Sequence, residues 1–236
     1  MAVTVTQPHP FRNATRVLTS VLSPLEKRTL RFLAERMPNW VNSDHLTVLG
    51  LAAMLGAGLS FWVASIWPGG LVLVVVSLAI NWFGDSLDGT LARVRGHERP
   101  RYGYYVDHVV DVFGALFLLG GLALSGYMSP LVAMGLLIAY LMMSIEVYLA
   151  AHTLGQFKIT YLMMGPTELR ILLSIGALRL LVQPEVTILG GTFRLFDVGG
   201  VVAIAGLLTI LLVTSASHTR TLYRAEPIPG RDGVAK

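Results

Sequence analysis

GDSLDGTLARVRGHERPRYGYYVDHVVD, residues 84–111, holds Asp85, Asp88, Asp107 and Asp111 between two long apolar runs. A carboxylate at membrane depth costs several kcal/mol unless something compensates it. Asp85, Asp88, Gly89, Ala92 and Arg93 fall at i, i+3, i+4, i+7 and i+8, which is one stripe of an α-helix. Asp107 and Asp111 are one turn apart, with Gly103 a turn earlier. Gly96 and Pro100 between the two sets predict a short turn joining antiparallel helices. Two carboxylate pairs are then expected to face each other near one end of a bundle.

The rest of the chain supports that reading. Of 236 residues, 54% are hydrophobic and 14% charged. A soluble domain carries roughly a quarter charged residues, so the composition is that of an integral membrane protein. There is no cysteine, which excludes disulfides, thiolate metal sites and cysteine nucleophiles. The net charge of +4 reports topology here rather than nucleic-acid binding. The first 20 residues lack an uninterrupted apolar core, so no cleavable signal peptide is expected.

Six apolar stretches are long enough to span, at about 20 residues each: 46–66, 70–92, 104–125, 130–152, 167–184 and 197–217. The fifth is the shortest. Sixteen Lys and Arg lie on one side of this arrangement, and only Arg179 and Arg194 on the other. That bias predicts both termini and the aspartate segment in the cytoplasm. Before the first span, SPLEKRTLRFLAERMPNW alternates charge with Leu25, Leu30, Phe32, Leu33 and Met37, and Ser23 with Pro24 suits a helix start. An amphipathic helix in the cytoplasmic interface is expected, its basic face toward anionic head groups. The predicted organisation is all-α: a cytoplasmic N-terminal segment over 1–45, a six-helix membrane domain over 46–217 and a cytoplasmic tail over 218–236.

Four oxygen-donor side chains without His or Cys suit a hard cation, Mg²⁺ or Mn²⁺, and two divalent ions would balance four negative charges. Paired ions can clamp the attacking and leaving oxygens of a displacement at phosphorus. Gly89, Ala92 and Gly103 leave room on the stripe for a ligand to approach the backbone. Arg93 offers a planar fork for phosphate oxygens. The bland alternative reads each small residue as close helix packing and each Asp as an interhelical hydrogen-bonding group. Four carboxylates in this joint spacing weigh against it.

These residues resemble the signature of the CDP-alcohol phosphotransferase family, D-x-x-D-G-x-x-A-R, a spacer, then G-x-x-x-D-x-x-x-D. Every fixed position is present. The spacer between Arg93 and Gly103 holds nine residues, one more than the usual pattern. The six-span count and N-terminal helix are also similar to the family. The resemblance implies passage of a substituted phosphoryl group from a CDP-linked donor to an alcohol hydroxyl, with release of CMP. It implies Asp85, Asp88, Asp107 and Asp111 as ligands of two metal ions, with Asp111 also the general base. It implies Gly89, Ala92, Arg93 and Gly103 as contacts of the CDP moiety. Thr47 is carried over as a further nucleotide contact, although Ser43 and Asp44 stand where the family commonly has Pro and Asn. A homodimer and membrane lipids are the partners implied. By analogy with common bacterial use, the donor is CDP-diacylglycerol, the acceptor a soluble alcohol and the location an inner membrane. CDP-choline or CDP-ethanolamine with diacylglycerol is the alternative pair.

Between the fourth and fifth stretches, His152, Lys158, Glu168 and Arg170 could shape a pocket for the acceptor or the donor's head group. GPTE, 165–168, can equally be an ordinary helix start, with Thr167 as cap and Glu168 favoured by the dipole. Glu146 is expected to pair with Arg170 or with a basic group of the 93–101 connection, or to face the substrate cavity. Met142, Met143, Met163 and Met164 read as lipid- or core-facing, and His108 as structural. A membrane prenyltransferase would place its two Asp motifs far apart. A cation or proton transporter would show repeats or broken helices near mid-bilayer, and would avoid a guanidinium beside its path.

Overall fold

A computed structural model of the chain describes residues 15–17, 22–158, 165–226 and 228. Arg12, Met163, Met164, Arg231 and Lys236 lie outside them, and of Arg16 and Lys158 only the backbone is described. Seven helices form the described fold: α1 Ser23–Arg36, α2 Ser43–Ala64, α3 Gly70–Arg95, α4 Pro100–Leu124, α5 Pro130–Leu154, α6 Pro166–Leu180 and α7 Leu195–Ala225. Two small sheets accompany them. β1 (Thr15–Val17) pairs in parallel with β2 (Gln156–Lys158), and β3 (Glu185–Ile188) forms an antiparallel hairpin with β4 (Gly191–Arg194). Neither sheet is visible in the apolar pattern of the sequence. The hairpin fills what reads there as a plain connection between the fifth and sixth stretches.

Among the described residues, five helices, α2, α3, α4, α5 and α7, are long and apolar enough to cross a membrane. Helix α6 has 15 residues, about 22 Å at 1.5 Å per residue, against a hydrocarbon core of about 30 Å. The stretch read over 167–184 is thus a shorter helix that stops at Leu180 and gives way to the β3–β4 hairpin. Helix α7 runs eight residues beyond its expected end at 217, and α2 starts at Ser43 rather than 46. At that start, Asn42 Oδ1 accepts the His45 N–H at 2.9 Å, and His45 Nδ1 accepts the Asn42 N–H at 3.3 Å. This reciprocal cap fixes the first turn.

Helix α2 is central and packs along both α3 and α4; α5 joins α4 to α7, and α6 lies on α3. Two glycine crossings make this possible. A Cβ on Gly58 or Gly121 would collide with backbone, of Phe117 and of Gly58 respectively, so α2 and α4 meet main chain to main chain. A Cβ on Gly84 would stand 2.6 Å from Leu46 O and 2.7 Å from Gly50 N, so α3 also packs close to α2. The main core, around Phe61, Leu71, Val74, Leu78 and Leu122, fills the half of the bundle away from the aspartates. A second cluster packs Leu30 and Ala34 of α1 against Leu87 and Leu91 of α3. Helix α1 thereby lies across the aspartate-bearing end of the bundle, as its amphipathic pattern predicts, with Leu25 and Phe32 left exposed.

Candidate metal and nucleotide site

Helices α3 and α4 carry the aspartates on the expected stripes. Gly96, at φ +66°, ends α3 in a left-handed cap, and Pro100 opens α4. The turn is Gly96–Arg99, so the long spacer is absorbed between two regular helices.

The α2–α3 contact builds the site as a ladder. At the outermost rung, the first turn of α2 and the last turns of α3 border a cleft of about 390 Å³. Asn42, Ser43, Asp44, Ala92, Arg95 and Arg99 line it. Asp44 and Arg99, one from each wall, form an ion pair. One turn deeper, the Thr47 hydroxyl donates to Asp88 Oδ2 at 2.6 Å. One turn deeper again, a Cβ on Gly50 would meet the Asp85 backbone N at 3.3 Å, while Asn81 Nδ2 donates to Gly50 O at 2.9 Å. Asp85 is therefore held at a close main-chain crossing of α2 and α3.

Carboxylate oxygens of Asp85, Asp107 and Asp111 lie within 4.8 Å of one another. Two helices packed mainly on α2 thus bring three of the four expected ligands together. Asp88 is not in this group: its oxygens receive the Thr47 hydroxyl and the Gly89 N–H. A positive charge also enters from α6. The Arg170 guanidinium pairs with Asp85 through Nη2 and donates from Nε to Asn81 Oδ1 at 2.7 Å. Its Nη1 is buried with no partner among the described residues. Three clustered carboxylates exceed the charge of one guanidinium, and a set of oxygen donors is the ligand chemistry of Mg²⁺ or Mn²⁺. The residues present fit a divalent ion.

Arg93 folds back over Gly89, where a Cβ would be 3.4 Å from Nη1, and its Nη2 donates to Thr90 Oγ1 at 3.0 Å. Ala92 lines the cleft. Gly103, in the first turn of α4, is exposed, with nothing within 4 Å of where a Cβ would stand.

Several expected roles change. Glu168 does not turn to a pocket. Its Oε2 accepts the Gly165 N–H at 3.0 Å and its Oε1 the Leu22 N–H at 3.2 Å, so it closes the start of α6 and ties it to α1. Gly165, not Thr167, is the cap residue of α6. Glu146 meets neither Arg170 nor the 93–101 connection; it faces α7, where His218 Nδ1 lies 2.6 Å from its Oε1. Arg170 is the one member of the 152–170 group whose described side chain reaches the aspartates, and His152 is exposed at the end of α5. His108, expected as structural, is buried, lies 2.6 Å from Tyr104 O through Nδ1 and sits between the Tyr104 and Tyr148 rings, with the same nitrogen 3.8 Å from Asp107 Oδ2. Asn81 was missed. It is the single amide inside an apolar run, an expensive group at that depth, and that was the available signal.

Two comparisons bear on this site. The chain is 29% identical over 113 residues to archaetidylinositol phosphate synthase of Pyrococcus horikoshii, a match that covers 47% of this chain and 54% of that protein. The chain thus spans about half the length of the curated relative it matches. The sequence profile of the CDP-alcohol phosphatidyltransferases, transferases that use divalent metal, matches residues 40–215, from the loop before α2 into α7 and across every aspartate described above. The chain belongs to the CDP-alcohol phosphatidyltransferase family.

Proposed function

We propose that the protein transfers a substituted phosphoryl group from a CDP-linked lipid, of the CDP-diacylglycerol type, to the hydroxyl of a soluble alcohol and releases CMP. The observation that carries this reading is the convergence of Asp85, Asp107 and Asp111, with Asp85 two helical turns inward from a cleft lined by Ala92. The name of the Pyrococcus relative supports a phosphorylated acceptor such as inositol phosphate. A buried guanidinium beside the cluster, with an unoccupied Nη1, supports an anionic group there as well.

The cleft receives the nucleotide, and Arg93 turns its fork to the donor's diphosphate. Asp85, Asp107 and Asp111 would hold the divalent ions, with Asp88 as the fourth expected ligand, and bound ions would supply charge neutralisation at the phosphoryl oxygens. Asp111 takes the proton of the acceptor hydroxyl. The acceptor oxygen forms a bond to the lipid-bearing phosphorus, and the bond from that phosphorus to the bridging oxygen breaks. The electron pair leaves on the phosphate of CMP. In this reading α6 is the sixth, short span, with Arg170 in its first turns directed inward to Asp85 and Arg179 in its last turn, where such a side chain reaches out of the hydrocarbon. Both termini and the site then face the cytoplasm, in line with the Lys and Arg bias. A homodimer in an inner membrane, implied by the family resemblance, completes the proposal.

The test is CMP release by purified protein in detergent with Mg²⁺, from CDP-diacylglycerol and a panel of phosphorylated and unphosphorylated alcohols. Acceptor-dependent release abolished by EDTA is expected. Release with CDP-choline and diacylglycerol in its place would exchange donor and acceptor classes. No release with any pair would remove the transferase reading.

A further inference from the structure

Helix α1 is tied to the site by a link that the transfer chemistry above does not use. Glu26, in its first turn, accepts two hydrogen bonds on one oxygen. The Trp82 indole N–H of α3 reaches Oε1 at 2.9 Å, and the Thr167 hydroxyl of α6 reaches the same atom at 2.6 Å. Trp82 stands one turn before Asp85 and Thr167 one turn before Arg170. One oxygen therefore joins the turn of α3 that leads to Asp85 to the turn of α6 that leads to Arg170. A turn deeper, the same two helices are joined again by Arg170 on Asp85 and on Asn81.

Other contacts make α1 a strap rather than a loose surface helix. Its first backbone N–H donor, at Leu22, goes to Glu168 of α6. At its far end, Arg95 of α3 donates to the carbonyls of Met37, Pro38 and Val41. Leu30 and Ala34 are buried on α3 between these ties. Glu26 and Arg170 thus bridge α6 to α3 at two successive turns. A shift of about 1 Å is enough to lower a reaction rate on the order of 10²-fold.

We propose that Glu26 is a positioning residue: through Trp82 and Thr167 it seats the Arg170 guanidinium on Asp85, and so sets how tightly the Asp85–Asp107–Asp111 cluster holds a divalent cation. This rests on the reading of that cluster as a metal centre. A guanidinium on Asp85 competes with the cation for a carboxylate oxygen and repels it. Unseating Arg170 therefore tightens cation binding, whereas general loosening of the bundle weakens it. Only an oxygen acceptor is needed at position 26, so Glu26→Gln preserves both bonds and Glu26→Ala removes both.

The experiment is calorimetric titration of the full chain in detergent with Mn²⁺, without donor or acceptor. Arg170→Gln is expected to bind Mn²⁺ about tenfold more tightly than the unaltered protein by relief of like-charge repulsion. Glu26→Ala is expected to bind it roughly three- to tenfold more tightly, and Glu26→Gln within about twofold of the unaltered protein. In the Arg170→Gln background, Glu26→Ala should add less than about twofold, because residues acting through one contact are not additive. Unchanged or weakened binding in Glu26→Ala overturns the proposal, as does equal tightening in both backgrounds. Should Glu26→Ala fail to fold, Trp82→Phe and Thr167→Val each remove one bond. Both are expected to give intermediate tightening, and unaltered affinity in both overturns the proposal. If neither the unaltered protein nor Arg170→Gln binds Mn²⁺, the metal centre and the proposal fall together. An intact Mn²⁺ cycle in a protein that releases no CMP would overturn the transferase reading alone.

Discussion

Gly84→Ala puts the architecture of the site to a direct test. The added Cβ would stand 2.6 Å from Leu46 O and 2.7 Å from Gly50 N, both main-chain atoms in the first turns of α2. Ordinary contact begins at 3.4 Å, so α2 and α3 must separate by about 0.8 Å at this rung. No flexible side chain can yield instead. Overpacking of this kind costs typically about 1–3 kcal/mol. The larger effect is expected in turnover, because Asp85 is the next residue and moves with α3 away from the α4 carboxylates. Misplacement approaching 1 Å loses on the order of 10²-fold. CMP release and thermal unfolding would be measured on the same detergent preparations, beside two comparison variants. Gly50→Ala places its Cβ 3.3 Å from Asp85 N, which asks a shift of only a few tenths of an ångström and should give a smaller loss. Gly120→Ala meets nothing within 4 Å and should leave turnover unchanged. If Gly84→Ala folds and turns over like the unaltered protein, close approach of α2 and α3 does not place Asp85, and the ladder described here is wrong.

The remaining expectations concern individual groups. Asp85→Asn and Asp107→Asn should each abolish turnover and weaken Mn²⁺ binding while the protein still inserts and unfolds cooperatively; full activity in either removes the metal centre. Asp111→Asn should keep measurable donor binding but lose transfer by at least about 10²-fold, the usual consequence of removing a positioned base. Asp111→Glu should lose nearly as much, and single-turnover CMP release with donor binding on the same preparations separates the two roles of this residue. Arg93→Lys should weaken CDP binding in calorimetric titration because a bidentate fork becomes a point charge; unchanged affinity would leave Arg93 a purely structural role over Gly89.

The apolar runs and the 3.6-residue stripe are local properties, and they place α2 to α5 within a few residues of their ends in the structure. The turn between α3 and α4 was legible for the same reason, since Gly96 and Pro100 act through their own backbone conformations. Asp85, Asp107 and Asp111 could be named together because helical spacing puts each on a predictable face. Helix α6 was less legible: composition carries an apolar run on to 184, and only the β3–β4 hairpin shows where the helix stops.

Which carboxylates converge was decided by tertiary structure. Asp88 shares a stripe with Asp85, yet its partner is Thr47, because α2 and α3 cross at Gly50 and Gly84 with that rung facing inward. Arg170 reaches Asp85 across 85 residues of chain, and Thr167 reaches Glu26 across 141. Glu146 turned to His218 rather than to Arg170 because its face of α5 packs on α7. Periodicity assigns a residue to a face of its own helix. The rotation and separation of neighbouring helices come from how closely their surfaces can approach, and the partner of each buried charge follows from that.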